Sequence, residues 1–198
     1  MKTIIGRFSD FSKMPAPHFE PVALNQLVEG VMKPYIGQFE SNGRPRIEPV
    51  LLLTDEETTI AADEDQLRRA ISNLVLNAID AMPGGGALHV ATRRIEDGVR
   101  LSVSDSGQGL TPEECERLFT PYYTTKHHGT GLGLAIVQSV VSDHHGKISV
   151  SSAKGQGASF VIDLPIAQSS PQALSSPASP SPASSSPASH GGGSGDPS

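Results

Sequence analysis

The chain has little of what several classes of protein require. Its 198 residues include one cysteine, Cys115, so an internal disulfide is excluded and a reducing compartment is expected. Acidic residues outnumber basic ones by 21 to 15, which argues against nucleic-acid binding because neutralising phosphates needs clustered Lys and Arg. No apolar run approaches the ~20 residues of a membrane helix, and the opening MKTIIGRFSDF is too polar for a secretory signal. We therefore expect a cytoplasmic chain without membrane contacts of its own, although it could be part of a larger membrane protein.

The sequence also lacks a Walker A loop of the form GxxxxGK[ST], although glycine is concentrated between Asp105 and Ala135. This stretch opens with DSGQGL and closes with Gly129, Gly131 and Gly133 on alternate positions, directly before an apolar helical pattern. Glycines at this spacing allow positive φ and a close approach to a ligand. A glycine-rich turn before a helix N-terminus also offers free N–H groups to an anion. A nucleotide satisfies both ends, with its base at Asp105 and its phosphates at the second glycine cluster.

The most regular helical repeat of apolar residues follows Asp63 and predicts a helix that ends at Pro83–Gly86. Asp63 is the predicted N-cap, and Glu64 and Asp65 follow in the first turn, where negative charge suits the helix dipole. One stripe is apolar and predicts the buried face: Leu67, Ala70, Ile71, Leu74, Val75, Ala78 and Met82. A second stripe at similar spacing is polar: Gln66, Arg69, Asn73, Asn77 and Asp80. Arg69 and Asp80 can also be explained as solvated charges.

Shorter patterns predict the other elements of a two-layer α/β domain. Helices are predicted over 22–39, kinked or ended early at Pro34, and over 132–144, and a short helix is predicted to start at Thr111-Pro112. Strands are predicted over 45–53, with a buried run at 50–53, over 58–62, and around 88–90, 99–103, 148–150 and 160–164. In residues 118–128 the apolar and polar residues follow no helical or strand period, and this segment is predicted to form a mobile loop.

The two ends of the chain differ in composition from its middle. Phe8, Phe11 and Met14 share a helical spacing that Pro15 and Pro17 interrupt, as at the end of a longer helix. From about residue 167 the chain consists mainly of Ser, Pro, Ala and Gly, with too little apolar surface to offset the entropy of ordering. We predict a linker over 1–20, a folded domain over 21–166 and a disordered tail over 167–198.

Four motifs occur in a fixed order in the folded region. They are NLVLNAIDA at 73–81, DSGQGL at 105–110, LFTPYYTTK at 118–126 and GTGLGLAIV at 129–137. They resemble the N box, first glycine box, F box and second glycine box of sensor histidine kinases, whose catalytic domain shares its fold class with the gyrase, Hsp90 and MutL ATPase domains. The stretch FSDFSKMPAPHFEPVALNQLV at 8–28 resembles the link between the dimerisation and catalytic domains in nitrogen-regulation sensor kinases of the NtrY and NtrB type.

The resemblance implies a fold and a set of site residues. The fold is a two-layer α/β sandwich, with a mixed, largely antiparallel sheet, helices on one face and an ATP lid. Asp105 would accept a hydrogen bond from the adenine amino group, and Asn77, assisted by Asn73, would bind the Mg²⁺ that bridges the phosphates of ATP. The implied nucleotide-binding residues are Asn73, Asn77, Asp105, Gly107, Gly109, Lys126, Gly129, Thr130, Gly131, Leu132 and Gly133. A solvent-exposed lid lysine is an equally good interpretation of Lys126.

The implied activity is that of an ATP-dependent protein histidine kinase, and part of its machinery is absent from this sequence. None of the seven histidines has the context H-E-[IL]-[KR]-N-P of a phosphoacceptor, and no residue is assigned as a catalytic base. The acceptor would therefore belong to a dimerisation domain outside this chain, and the phosphate would pass to the receiver domain of a response regulator. Such a chain could be the cytoplasmic part of an inner-membrane sensor kinase.

Two features of the motifs leave other functions open. The ATP-hydrolysing relatives usually carry a glutamate at the position of Asn73, and an amide is a poor general base, which favours transfer to a protein over hydrolysis. The last glycine box often reads G-x-G-T, whereas this chain has Gly155-Gln156-Gly157-Ala158, so that a hydroxyl near adenine is missing unless Ser159 replaces it. The alternatives are a non-catalytic adenine-nucleotide-binding regulatory module, or an ATPase or serine kinase of the same fold.

Overall fold

The computed structural model of the chain describes residues 15–39, 47–56, 58–124 and 129–166. Seven strands and four helices occur in this part of the chain. In order they are β1 (Glu20–Ala23), α1 (Leu24–Phe39), β2 (Ile47–Leu52), β3 (Thr59–Ala62), α2 (Glu64–Ala81), β4 (Gly86–Ile95), β5 (Gly98–Asp105), α3 (Pro112–Arg117), α4 (Gly133–Asp143), β6 (Lys147–Ser152) and β7 (Ala158–Pro165). The predicted linker helix before Pro15, the lid residues 125–128 and the tail after 166 lie outside the described residues.

Five strands form one mixed sheet in the order β2-β4-β5-β7-β6, in which only β2 and β4 run parallel. Side chains alternate between its two faces, as in β5, where Val99, Leu101 and Val103 are buried and the residues between them are half-exposed. The apolar faces of α1, α2 and α4 belong to the same core as these buried strand residues. The predicted two-layer α/β sandwich, with a largely antiparallel sheet and helices on one face, is therefore confirmed. Strands β1 and β3 form a separate antiparallel pair.

Helix α2 has the N-terminus and the buried face that the sequence predicts. The Asp63 carboxylate accepts a hydrogen bond from the Gln66 N–H at 3.0 Å and so caps the helix. All seven residues of the predicted apolar stripe are buried. The predicted helix start at Thr111 is also confirmed, because Thr111 and Glu114 form a reciprocal capping box. Helices with such local signals could be located from short sequence windows.

Three predictions for the edge of the fold differ from the structure, although a kink at Pro34 stays untested. Helix α1 continues through Pro34 to Phe39, since Pro34 and Gly30 are both exposed and the carbonyl that lacks its N–H partner is accessible to water. The run at 50–53 is not buried, because Leu52 is 60% exposed. Strand β2 lies at a sheet edge, and Leu52 pairs with Ala91 on the face opposite the helices. Val22 lies in the short strand β1, so the helix begins at Leu24 and not at residue 22 as predicted.

The segment that precedes β1 is held at the N-terminus of α2. The His18 N–H donates to Asp63 Oδ2 at 2.9 Å, and the Gln66 side-chain amide donates to the Pro15 carbonyl at 3.1 Å. Asp63 in turn donates its own N–H to Nε2 of the buried His144, whose Nδ1–H donates to the Val140 carbonyl. Asp63 therefore joins the linker, α2 and the end of α4.

We expect Asp63→Ala to lower the free energy of unfolding by about 1–2 kcal/mol, because it removes the cap of α2 and a linker contact. Partial burial opposes ionisation of Asp63, but the N–H groups of Gln66 and His18 outweigh it and hold the pKa of this carboxyl below its usual range. The ionised cap therefore stabilises the fold above the usual pKa of about 3.9 and is lost as pH falls through the lower folded-state pKa.

Urea unfolding of both proteins across this pH range tests the prediction. The difference between the wild type and Asp63→Ala should be largest near neutral pH and should shrink in acid. Asp63→Asn is the matched control, since asparagine caps helices about as well as aspartate but does not titrate. A difference that is independent of pH would contradict the ionised cap.

Candidate functional site

A cavity of about 310 Å³ opens between α2, the start of α4 and the ends of β5 and β7. Eight of the eleven residues predicted from the motifs line it: Asn73, Asn77, Asp105, Gly109, Gly129, Thr130, Gly131 and Gly133. Gly107 and Leu132 do not line it, although each is adjacent to a residue that does. Lys126 lies outside the described residues. The four motifs, which lie between residues 73 and 137, thus meet at one cavity.

Asp105 forms one end of the cavity. It is the last residue of β5 and only 9% exposed, and its Oδ1 accepts a hydrogen bond from the Gly107 N–H at 2.8 Å. Ala158 and Phe160, successive inward-facing residues of β7, provide an apolar wall beside it. A carboxyl oxygen acceptor against an apolar wall suits a flat ring that carries an N–H donor.

Two glycines allow the backbone to close around Asp105. At Gly107 a Cβ atom would lie 2.4 Å from the Ala81 carbonyl oxygen, so this glycine is needed for the packing of the loop against α2. At Gly157, where φ is +76°, a Cβ atom would lie 1.8 Å from the Asp105 carbonyl oxygen. Gly107 therefore acts as a support for Asp105 rather than as part of the cavity wall.

Asn73 and Asn77 project from α2 toward the other end of the cavity. Asn73 Nδ2 donates to the Gly133 carbonyl at 3.4 Å, which connects α2 to the first turn of α4. Asn77 follows one turn later and also lines the cavity. Among the described residues no group of three or more His, Cys, Asp or Glu side chains could hold a metal ion. A divalent cation beside Asn77 would take its amide oxygen together with oxygen atoms of the ligand, a donor set that suits Mg²⁺.

The second glycine box leads directly into α4. Gly131 has φ of +66°, and a Cβ atom there would lie 2.4 Å from the backbone of Tyr122. The Tyr122 N–H donates to the Gly131 carbonyl at 2.9 Å, so the F box is attached to the glycine box. Leu132, the N-cap of α4, makes no side-chain capping bond, and the first N–H groups of this helix remain available to an anion.

The structure adds residues that the motifs did not predict and corrects one expectation. The additional lining residues with large apolar or aromatic side chains are Leu76, Leu110, Leu118, Tyr123, Leu134 and Phe160. Phe160 could have been found from the alternation of β7, because it lies two residues after Ala158. Ser159 does not replace the missing hydroxyl, since it points to the opposite face of the sheet, where its Oγ accepts a hydrogen bond from the Ser104 hydroxyl at 2.8 Å.

The cavity has a buried acidic acceptor at one end, a glycine-rich helix start at the other and the polar face of α2 between them. These are the features of a nucleotide-binding α/β domain. A family profile described as histidine kinase-, DNA gyrase B- and HSP90-like ATPase matches residues 62–168. The chain belongs to this family.

Relatives with this domain include sensor histidine kinases. The chain is 39% identical over 166 residues to the sensor histidine kinase ZraS of Escherichia coli K12, which covers 84% of this chain and 35% of that protein. The solved catalytic domain of the histidine kinase ThkA has a TM-score of 0.68 and 30% identity, with 75% of this chain and 95% of that chain covered. Full-length ShkA in complex with AMPPNP has a TM-score of 0.69 and 29% identity, covering 82% of this chain and 35% of that one.

A further structure contains ThkA in complex with the response regulator protein TrrA. It matches with a TM-score of 0.66 and 26% identity, and covers 83% of this chain and 46% of that chain. The chain thus spans about a third of the length of the E. coli relative and less than half of the longer kinase structures. No helix in the described part of the chain is long and apolar enough to cross a membrane.

Proposed function

We propose that this chain is the Mg²⁺–ATP-binding catalytic domain of a two-component sensor histidine kinase. It would transfer the γ-phosphoryl group to a histidine of a dimerisation domain that is not part of this chain. The observation that carries the proposal is the convergence on one cavity of Asp105, Asn77 and the glycines before α4. Family membership and the names of the relatives support the same function.

Each end of the cavity has a distinct role in this proposal. The buried Asp105 carboxylate accepts the adenine amino N–H and excludes guanine, which has a carbonyl oxygen at that position. The free N–H groups at the start of α4 hold the terminal phosphates, and Asn77 holds the Mg²⁺. A Mg²⁺ ion held by Asn77 would supply positive charge that offsets the negative charge of the phosphates during phosphoryl transfer. The protein therefore acts mainly by positioning the nucleotide.

The described histidines are poorly suited to accept a phosphoryl group. Both ring nitrogens of the buried His144 are engaged in hydrogen bonds. His89 lies in β4 on the sheet face opposite the helices, and His18 precedes β1 in the linker. His145, the fourth described histidine, is exposed and stacks on Phe19, and none of the four lines the cavity. This arrangement supports an acceptor histidine on a separate dimerisation domain.

The remaining parts of the proposal concern partners and location. The ThkA complex with a response regulator supports a receiver domain as the next phosphate acceptor. The resemblance of residues 8–28 to NtrY- and NtrB-type linkers supports a role in nitrogen regulation. A cytoplasmic location, as the soluble part of an inner-membrane sensor kinase, would suit such a chain. We also keep the division into a linker over 1–20, a catalytic domain over 21–166 and a tail over 167–198 as a proposal.

Asn73 makes ATP hydrolysis the weaker candidate. A water-activating base is needed for hydrolysis, but the Asn73 amide cannot accept a proton and its nitrogen donates to the Gly133 carbonyl. A non-catalytic nucleotide-binding module remains the main alternative, because it would need the same cavity.

Calorimetric titration with ATP, with and without Mg²⁺, and then with GTP tests the nucleotide site. We expect micromolar binding of ATP that strengthens with Mg²⁺, and no binding of GTP. Incubation of the Mg²⁺–ATP complex with a separately produced dimerisation domain from a relative should then label that domain with the γ-phosphoryl group. Binding without labelling would favour the regulatory module, steady phosphate release would favour an ATPase, and absence of ATP binding would refute all three.

A further inference from the structure

Residues 15–19, which precede β1, lie against the start of α2 and the end of α4, away from the nucleotide cavity. Four of these five residues are exposed, and the fifth, Pro17, is half-buried. The two hydrogen bonds described above join the segment to Asp63 and Gln66 at the start of α2. A segment with exposed backbone hydrogen bonds and few buried groups belongs to the part of a fold that opens most easily.

The side chain of Phe19 connects this segment to the end of α4. Its ring centroid lies 6.4 Å from that of His145, with the two rings nearly parallel at 5°, and 5.2 Å from that of His144, at 61°. These are the separations of stacked and edge-to-face aromatic pairs. Phe19 nevertheless remains 44% exposed. A second cavity, of about 280 Å³, lies beside the rings and is lined by Phe19, Ala61, His144, His145, Pro165 and Ile166. The aromatic contact is therefore partial.

The two histidines beneath Phe19 are held in place by the fold itself. His144 is only 2% exposed, and both of its ring nitrogens are engaged in hydrogen bonds. His145 directly follows it with φ of +55°, and the Gly146 N–H then donates to the Val141 carbonyl at 2.8 Å, which ends α4. Glycine or asparagine is usual at such a left-handed helix end. A histidine there is unfavourable for the backbone, and its ring contacts Phe19.

We propose that residues 15–19 form a detachable strap, which the ring of His145 holds on the end of α4 through Phe19. Gln66 supports a strap that can leave, because its Oε1 is buried and has no hydrogen-bond partner among the described residues. A buried acceptor without a partner raises the energy of the docked state, and water reaches it when the strap detaches.

The strap goes beyond the proposed function and adds a conformational control to it. In that function the linker leads to the domain that carries the acceptor histidine. A docked strap fixes the direction in which the chain enters the catalytic domain, and so restricts the orientations in which the nucleotide cavity can face that histidine. Release of the strap would allow further orientations.

Hydrogen exchange of the His18 amide, measured by NMR, reports whether the strap is docked, because this N–H donates to Asp63. We expect Phe19→Ala and His145→Asn each to speed this exchange about three- to tenfold, as the loss of one aromatic pair implies. Asparagine suits the positive φ at position 145, so His145→Asn should unfold at the temperature of the wild type or above it. Phe19→Tyr keeps the ring and should keep the wild-type exchange rate. Leu52→Ala, which removes another exposed apolar side chain, is the matched control and should keep it too.

Three results would overturn the proposal. Exchange of the wild-type His18 amide at the rate of an unstructured peptide would show that the strap is not docked. Wild-type exchange in either Phe19→Ala or His145→Asn would show that the pair of rings does not hold it. Faster exchange in His145→Asn together with a lower unfolding temperature would make His145 a residue that only stabilises the end of α4.

These measurements are independent of the nucleotide site. None of them uses a nucleotide, and neither Phe19 nor His145 lines the nucleotide cavity. Absence of ATP binding to the wild type would therefore refute the proposed function and leave the docking of the strap intact.

Discussion

Replacement of Asp105 by asparagine is expected to weaken ATP binding between tenfold and a hundredfold. The carboxylate is buried, so its hydrogen bond to the adenine amino group would be charge-assisted and shielded from water. In asparagine the anionic acceptor is gone, and the amide NH₂ group competes for the position that faces the adenine donor. Calorimetric titration of both proteins with ATP at one Mg²⁺ concentration measures the effect.

The fold should survive this substitution. Asparagine keeps an oxygen that can accept the Gly107 N–H, and its shape is that of aspartate. A matched control is Asp163→Asn, which breaks the ion pair with Arg100 on the open face of the sheet, away from the cavity. That variant should bind ATP as the wild type does. Equal affinity of the wild type and Asp105→Asn would show that the base does not bind at Asp105.

Replacement of Asn77 by alanine is expected to abolish the effect of Mg²⁺ on ATP binding. In the proposed site a bound cation would take the amide oxygen of Asn77 together with phosphate oxygens, and the described residues hold no group of three or more His, Cys, Asp or Glu side chains that would bind it without the nucleotide. Titration of ATP into the variant should therefore give the same affinity at every Mg²⁺ concentration. Alanine favours the helical conformation, so α2 should remain folded.

The control for this experiment is Arg69→Ala. Arg69 belongs to the same polar stripe of α2 but does not line the cavity, so its removal should leave the Mg²⁺ dependence unchanged. Thermal unfolding of both variants without nucleotide shows whether either change disturbs the helix. Retention of a normal Mg²⁺ dependence by Asn77→Ala would exclude Asn77 as a ligand.

The elements with local signals were predicted well. The cap at Asp63 and the apolar stripe of α2 depend on residues three and four apart, and both are confirmed. The alternation in β5 ends at Asp105, and the structure has this residue at the end of the strand. Such features need only the intrinsic geometry of a helix or a strand. The resemblance carried by the four motifs predicted eight residues that line the cavity.

The errors concern residues whose environment depends on distant parts of the chain. Leu52 belongs to an apolar run, but its exposure follows from the edge position of β2 and from its pairing with Ala91. The sequence left open whether Ser159, which is adjacent to Ala158, replaces the missing hydroxyl, and the pleat directs it to Ser104 on the other face. Pro34 did not end α1, because both it and Gly30 are exposed to water.

The sequence by itself determined the periodic elements, the motifs and the residue types that the site can use, because these depend on neighbours within a few positions. The tertiary structure alone decided which residues share the cavity and which support it from outside. Gly107 is the clearest case, since its lack of a side chain is required by the Ala81 carbonyl, 26 residues earlier. Contacts over such separations arise from strand order and helix packing, and a local pattern does not contain them.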